Sequence, residues 1–159
     1  MTPFPSPNFG ERRGGVSPSL VVIHYTAISC DEARARLCDP AAEVSAHWLI
    51  SETGMAEALV NERHRAWHAG VSCYRGRDNC NDDSIGIELE GLEGNTFEVP
   101  QYETLSSVCS AIAQHYQLHR IAGHEHVAPD RKQDPGAGFD WVLLQQSLGW
   151  SAEQFPRKN

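Results

Sequence analysis

The chain has 159 residues, with 13 Lys and Arg against 21 Asp and Glu and a formal net charge of -8. That length fits one domain, and a domain of this size buries enough surface to fold without disulfide staples. With 40% apolar residues and 13 glycines the composition is globular, which excludes intrinsic disorder, and no run approaches the roughly 18 apolar residues of a membrane span.

The acidic balance argues against a nucleic-acid binder. Neutralising phosphates takes clustered Lys and Arg, and the densest basic spots are Arg12-Arg13 and Arg131-Lys132. The N-terminal MTPFPSPNFGERRGG lacks the apolar stretch of about 7–15 residues that a signal peptide needs. A cytoplasmic location is therefore expected, with the periplasm as the alternative. The five cysteines, Cys30, Cys38, Cys73, Cys80 and Cys109, are odd in number and contain no CxxC. That pattern predicts reduced thiols; a Cys73–Cys80 bridge across one loop is the alternative.

Residues 1–19 are rich in Pro, Gly and Ser and read as an extended arm on a single domain, 1–159. The apolar, β-branched run 19–26 predicts a buried strand. Ser29 and Glu32 have the spacing of a capping box, opening a helix through Leu37 ahead of Pro40. Residues 44–51 read as a second strand, which Thr53-Gly54 turns into a third at 55–60, a hairpin. Residues 61–83 have little periodicity and read as a long loop. A fourth strand is expected at 84–90, then a turn-rich excursion over 91–99. The clearest helix begins near Gln101, where Leu105, Val108, Cys109, Ile112, Ala113 and Tyr116 form one apolar stripe. A short strand at 120–123, a Pro/Gly/Asp loop at 124–138 and a terminal helix at 139–148 complete the chain. Strands and helices interleave without strict strand–helix–strand repetition, which predicts an α/β protein of the α+β type, a central mixed β-sheet flanked by helices.

Eight histidines are many for this length. His24 ends the first strand, His47 lies within the second, and His124 opens the loop after the last. A lone strand histidine is ordinarily a core or surface group, so partners decide the matter. In the loop GHEHVAPDRKQDPG (123–136) Asp134 follows His124 by ten residues between Pro and Gly, and the two can close on one metal. His24 would complete a two-histidine, one-carboxylate set. Catalytic zinc takes three protein ligands and leaves a fourth position for water. The plainer alternative is a solvated polar loop.

Five collinear stretches, LVVIHYTA (20–27), VSAHWLI (44–50), RAWHAG (65–70), NDDSIGIELEG (81–91) and GHEHVAPDRKQDPGAGFDW (123–141), resemble the zinc-dependent N-acetylmuramoyl-L-alanine amidases of the AmpD/AmiD type. These belong to the amidase-2 superfamily with phage amidase lysozymes and peptidoglycan recognition proteins. The last two stretches are specific; the first alone is weak. The resemblance implies an amidase-2-like catalytic domain and one Zn2+ per chain on His24, His124 and Asp134. It places the catalytic acid–base on Glu88 and an oxyanion-stabilising lysine on Lys132. Glu90 shares the strand parity of Glu88 and is the fallback. His126 stands where relatives often carry aspartate and is a competing ligand. His47, Trp67 and His68 are candidate substrate contacts, with structural packing as the other possibility.

The resemblance further implies a muropeptide substrate, cut between N-acetylmuramic acid in its 1,6-anhydro form and L-alanine during cell-wall recycling. RDNCNDDSIGIELEG looks like the recycling type, whereas RAWHAGVS with the following YRG looks like an envelope enzyme that cleaves murein itself. A lytic amidase and a non-catalytic peptidoglycan-binding module are further alternatives. The binding module is disfavoured because all five catalytic and ligand positions are filled. No nucleic-acid or membrane partner is expected. No motif sets the oligomeric state, and a monomer is the default.

Overall fold

The computed structural model describes residues 2–157. In chain order its elements are β1 (Phe9–Gly10), β2 (Leu20–Tyr25), α1 (Cys30–Leu37), β3 (Trp48–Ile50), β4 (Ala56–Ala58), β5 (Arg65–Ala66), β6 (Cys73–Tyr74), β7 (Arg77–Asp78), β8 (Ser84–Leu89), α2 (Val99–His115), β9 (Arg120–Gly123), α3 (His124–Val127) and α4 (Trp141–Leu148). Five strands form the central sheet in the order β4-β3-β8-β2-β9. β3, β8, β2 and β9 run parallel, and β4 closes one edge as the antiparallel arm of a hairpin with β3. This is the mixed sheet expected from the sequence.

Strand alternation sorts the sheet into two faces. Val21 and Ile23 of β2, Ile85, Ile87 and Leu89 of β8, and Ile121 of β9 pack against Leu105, Cys109 and Ile112 of α2 and Leu144 of α4. Each such aliphatic side chain, fully buried, contributes about 1.5–3 kcal/mol. The opposite face carries Leu20, Val22 and His24 of β2 and Ser84, Gly86 and Glu88 of β8. Part of it is covered by Ala69 and Cys80 of the 61–83 segment and by Val127 and Ala128. The rest of that face, at His24 and Glu88, opens on a cavity.

The local signals mostly act where expected. Ser29 Oγ accepts from the Glu32 amide at 3.3 Å and Glu32 Oε2 accepts from the Ser29 amide at 3.1 Å, a full capping box for α1. α2 starts at Val99 rather than Gln101, because Pro100 is accommodated in the first turn and the Glu98 amide donates to Gln101 Oε1 at 2.9 Å. α4 starts at Trp141, where Asp140 Oδ1 accepts from the Leu143 amide at 2.9 Å. Within 61–83 there are three short strands, β5 to β7, and the 124–138 loop opens with one helical turn, α3.

The arm is tied down. β1 pairs antiparallel with β5, and Asn8 Nδ2 donates to the carbonyls of Asp39 and Val44 at 2.9 and 2.8 Å. Arg12, half of a basic spot in the sequence, is 8% exposed. Its guanidinium donates to the carbonyls of Glu62, Asp82 and Ser84 at 2.7–3.0 Å, so it pins the arm to the 61–83 segment. All five cysteines are free, Cys73 exposed and Cys80 and Cys109 buried; the Cys73–Cys80 bridge is not formed.

Candidate metal centre and active site

In sheets with parallel strands, ligand sites form outside the strands' carboxyl ends, and the candidate residues gather there. His24 is the fifth residue of β2, Glu88 lies beside it in register on β8, and His124 follows the last residue of β9. Asp134 is brought back by the loop after α3, where the Glu125 amide donates to the Asp134 carbonyl at 2.8 Å. Gly123 makes room for that return: a Cβ there would fall 2.6 Å from Pro135 Cδ. A cavity of about 510 Å³ opens over these residues, with Trp67, His68 and Lys132 also in its wall.

His24 Nδ1, His124 Nδ1 and Asp134 Oδ2 face one another at 3.0, 3.1 and 3.2 Å. They form the one His/Cys/Asp/Glu group among the described residues with ligand atoms close enough to share a metal ion. His124 Nε2 lies 3.1 Å from the Ala69 carbonyl oxygen. A carbonyl only accepts, so in the neutral ring the hydrogen sits on Nε2 and Nδ1 offers a lone pair. Burial drives the His24 imidazole down to about 4, against the hydrogen bond to Asp134 that would raise it. Burial alone would raise Asp134, but its hydrogen bonds to His124 and His24 hold it well below the usual carboxylate range. A neutral imidazole and an ionised carboxylate converging on one point are a donor set that fits a cation such as zinc.

Glu88 is different. Its Oε2 is sealed from solvent and has no hydrogen-bond partner among the described residues, although the residue keeps a face on the cavity. Burial, helped by the charge of Asp134 and opposed by Lys132, pushes its carboxyl well above the ordinary range. Glu90, the fallback, is consumed elsewhere: its two oxygens accept from the amides of Cys30 and Glu52 at 2.8 and 2.9 Å. Lys132 is exposed on the cavity wall.

The three expected substrate contacts separate. Trp67 lines the cavity, partly exposed. His47 does not reach it: the ring is fully buried, Nδ1 accepts from the Gly86 amide at 3.0 Å and Nε2 donates to the His64 carbonyl at 2.9 Å. Both nitrogens serve the fold, and burial lowers the ring's pKa to about 3. His68 touches the cavity, but its nitrogens face His24 Nε2 and Ser84 Oγ, each at 3.0 Å. His126 is not part of the metal group; its Nδ1 accepts from the Gly123 amide at 2.8 Å and its ring packs edge-on against Trp141. Arg75 and Arg77 lie away from the cavity, Arg75 on the carbonyls of Glu153 and Phe155 and Arg77 beside Asp83.

The family model described as N-acetylmuramoyl-L-alanine amidase matches residues 14–137. The chain is 39% identical over 161 aligned positions to the 1,6-anhydro-N-acetylmuramyl-L-alanine amidase AmpD of Citrobacter freundii, covering 89% of this chain and 86% of that protein. A crystal structure of a selenomethionine AmpD derivative superposes with a TM-score of 0.82 at 38% identity, covering 91% of this chain and 92% of the other. The complex of the amidase AmiD from E. coli with anhydro-N-acetylmuramic acid-L-Ala-D-γ-Glu-L-Lys superposes with a TM-score of 0.77 at 35% identity, covering 82% of this chain and 57% of the other.

Proposed function

The chain belongs to the N-acetylmuramoyl-L-alanine amidase family, and we propose that it is a zinc amidase that hydrolyses the bond between N-acetylmuramic acid, in the 1,6-anhydro form, and L-alanine of peptidoglycan fragments. The observation that carries this reading is the convergence of His24 Nδ1, His124 Nδ1 and Asp134 Oδ2 beside a buried Glu88 oxygen that nothing else uses. A non-catalytic binding module has no need of a carboxyl with one buried oxygen left unpartnered, which is costly to keep.

His24, His124 and Asp134 would hold the ion. Zinc in such a set supplies Lewis acidity at a carbonyl and a more acidic water. Glu88, whose carboxyl burial raises above the ordinary range, takes one proton from the attacking water at its carboxylate and returns it to the departing nitrogen of L-alanine. The amide C–N bond breaks, a C–O bond forms, and with the water's second proton also passed to the nitrogen a carboxylate and an ammonium leave. The Lys132 ammonium faces the cavity, where it stabilises negative charge growing on the scissile carbonyl oxygen. Trp67 offers an aromatic wall to the sugar.

Cell-wall recycling in the cytoplasm is the physiological reading, supported by the likeness to AmpD. The likeness to AmiD supports the envelope alternative. Mass spectrometry of products from anhydromuropeptides and from intact sacculi, run side by side, separates them. The recycling reading expects peptides beginning with L-alanine from the soluble fragments, much faster than from sacculi. Equal rates, with the protein recovered from the periplasm on fractionation, would replace it with the envelope reading, and no release from either would remove the amidase assignment.

A further inference from the structure

The two ligand histidines differ in what their outer nitrogens meet. His124 faces a carbonyl, that of Ala69, so its tautomer is settled. His24 Nε2 faces His68 Nδ1, and His68 Nε2 faces Ser84 Oγ; each of these partners is able to donate or accept. Hydrogens therefore run along this chain in one of two directions. If Ser84 donates to His68 and His68 to His24, then His24 Nδ1 carries a hydrogen toward Asp134. If His24 donates to His68 and His68 to Ser84, then His24 Nδ1 presents a lone pair alongside those of His124 and Asp134. Only the second arrangement makes a three-donor site.

Both outer partners come from one dipeptide. The amides of His68 and Ala69 donate to the same atom, Asn81 Oδ1, at 3.1 and 2.8 Å. The Ala69 carbonyl that meets His124 also accepts from Arg131 Nη2 at 2.9 Å. Gly86 lets the His68 ring lie directly on β8, since a Cβ there would fall 2.4 Å from His68 Cγ. Asn81 is 5% exposed and forms no hydrogen bond to any of the three ligands.

We propose that His68-Ala69, clamped by Asn81, is a single positioning element for both histidine ligands: the His68 ring sets the tautomer of His24, and the Ala69 carbonyl sets that of His124. This rests on the zinc reading above and gives His68 a positioning role in place of substrate contact. Outer partners of metal-bound histidines orient the ring and fix its tautomer, and their loss typically costs about 10–100-fold in metal affinity.

The test is a zinc titration of the full chain against a chromophoric chelator, with the absorption spectrum of the Co2+-loaded protein as a second readout and thermal unfolding of the metal-free protein as a control. His68→Ala should weaken zinc binding roughly 10–100-fold and shift the Co2+ bands. His68→Asn, whose Oδ1 stands where the imidazole Nδ1 was, should recover most of the loss. Asn81→Ala should weaken zinc binding although it removes no ligand, and Asn81→Asp, which keeps the acceptor, should not. Ile112→Val, a core change far from the site, should lower stability and leave affinity alone. Should His68→Ala fail to fold, the Asn81 pair decides the matter. Wild-type affinity in both His68→Ala and Asn81→Ala, or losses that track stability as in Ile112→Val, would overturn the proposal. A wild-type protein that takes up no zinc would instead overturn the reading of the site itself, and the first titration shows this before any variant is made.

Discussion

Replacing Glu88 by glutamine keeps the side chain's shape and removes its capacity to carry a proton. Glu88 faces the cavity, and among the described residues its Oε2 has no hydrogen-bond partner. Losing a positioned acid–base group costs roughly 100- to 10,000-fold in rate, about 3–5 kcal/mol on the barrier. Zinc content should stay near one per chain, because the three ligands are untouched. Product release from anhydromuropeptides, measured by mass spectrometry over time, gives the rate. A Glu88→Gln variant that turns over like wild type would refute the proton-carrier role.

The same variant has a second, independent consequence. Burial raises the Glu88 carboxyl above its ordinary value, with the charge of Asp134 adding to the effect and Lys132 opposing it. The native state therefore retains a proton that the unfolded chain has already released, and native stability falls as pH rises above the ordinary carboxylate range. Glutamine does not titrate. The stability of Glu88→Gln relative to wild type should thus increase with pH between the unfolded and folded pKa values, by up to about 1.4 kcal/mol for each unit. Urea unfolding of the metal-free proteins in chelator at pH 5, 6 and 7 measures it. A difference that does not change with pH would mean that water or a moving cation reaches this carboxyl in solution.

Three further outcomes follow from the site. His24→Ala, His124→Ala and Asp134→Ala should each purify without zinc and without activity, while His126→Ala retains metal; the reverse pattern at His124 and His126 in metal analysis would reassign the ligand. Lys132→Ala should keep zinc and shift stability by no more than about 0.5 kcal/mol, because the side chain is exposed, yet lose roughly 100- to 1,000-fold in turnover; unchanged turnover would leave Lys132 a surface cation. Maleimide should label exposed Cys73 first, and Cys80 and Cys109, which burial holds up at about 11 and about 12, only on unfolding; a folded fivefold Cys→Ser variant that loses zinc would point to a thiolate ligand.

The parts of this architecture that depend on nearby residues were readable from the sequence. The capping box of α1, the β3–β4 hairpin and the apolar stripe of α2 all involve positions a few residues apart, and each formed where its pattern stood. Strand β2 announced itself as an apolar, β-branched run, and β8, whose Ser84, Gly86 and Glu88 share one face, as an alternating one. The arm was less legible. What fixes it is Arg12 reaching carbonyls at Glu62, Asp82 and Ser84, and a carbonyl looks alike under every residue type. In sequence Arg12 was simply one of two adjacent cations; its burial is a property of the groove it enters.

The metal group was legible through His24, His124 and Asp134 because each sits at a strand end or in a loop closed by Pro and Gly. The division of labour among the remaining polar residues was not. Glu88 and Glu90 have the same parity, and only the register separates them: Glu88 stays beside His24, whereas Glu90 passes the strand's end and meets the amides of Cys30 and Glu52. His47 and His68 are the same residue type in neighbouring motifs. His47 spends both nitrogens on backbone, and His68 spends one on a ligand. His68 is held from Asn81, thirteen residues beyond it, whose Oδ1 accepts from the His68 amide, a contact that no local pattern marks. A metal centre of this kind is therefore coded at two ranges. On the zinc reading, the ligands are recognisable by residue type at strand ends, whereas the tautomers that would let them bind depend on the His68 ring and the Ala69 carbonyl, whose placement only the folded loop determines.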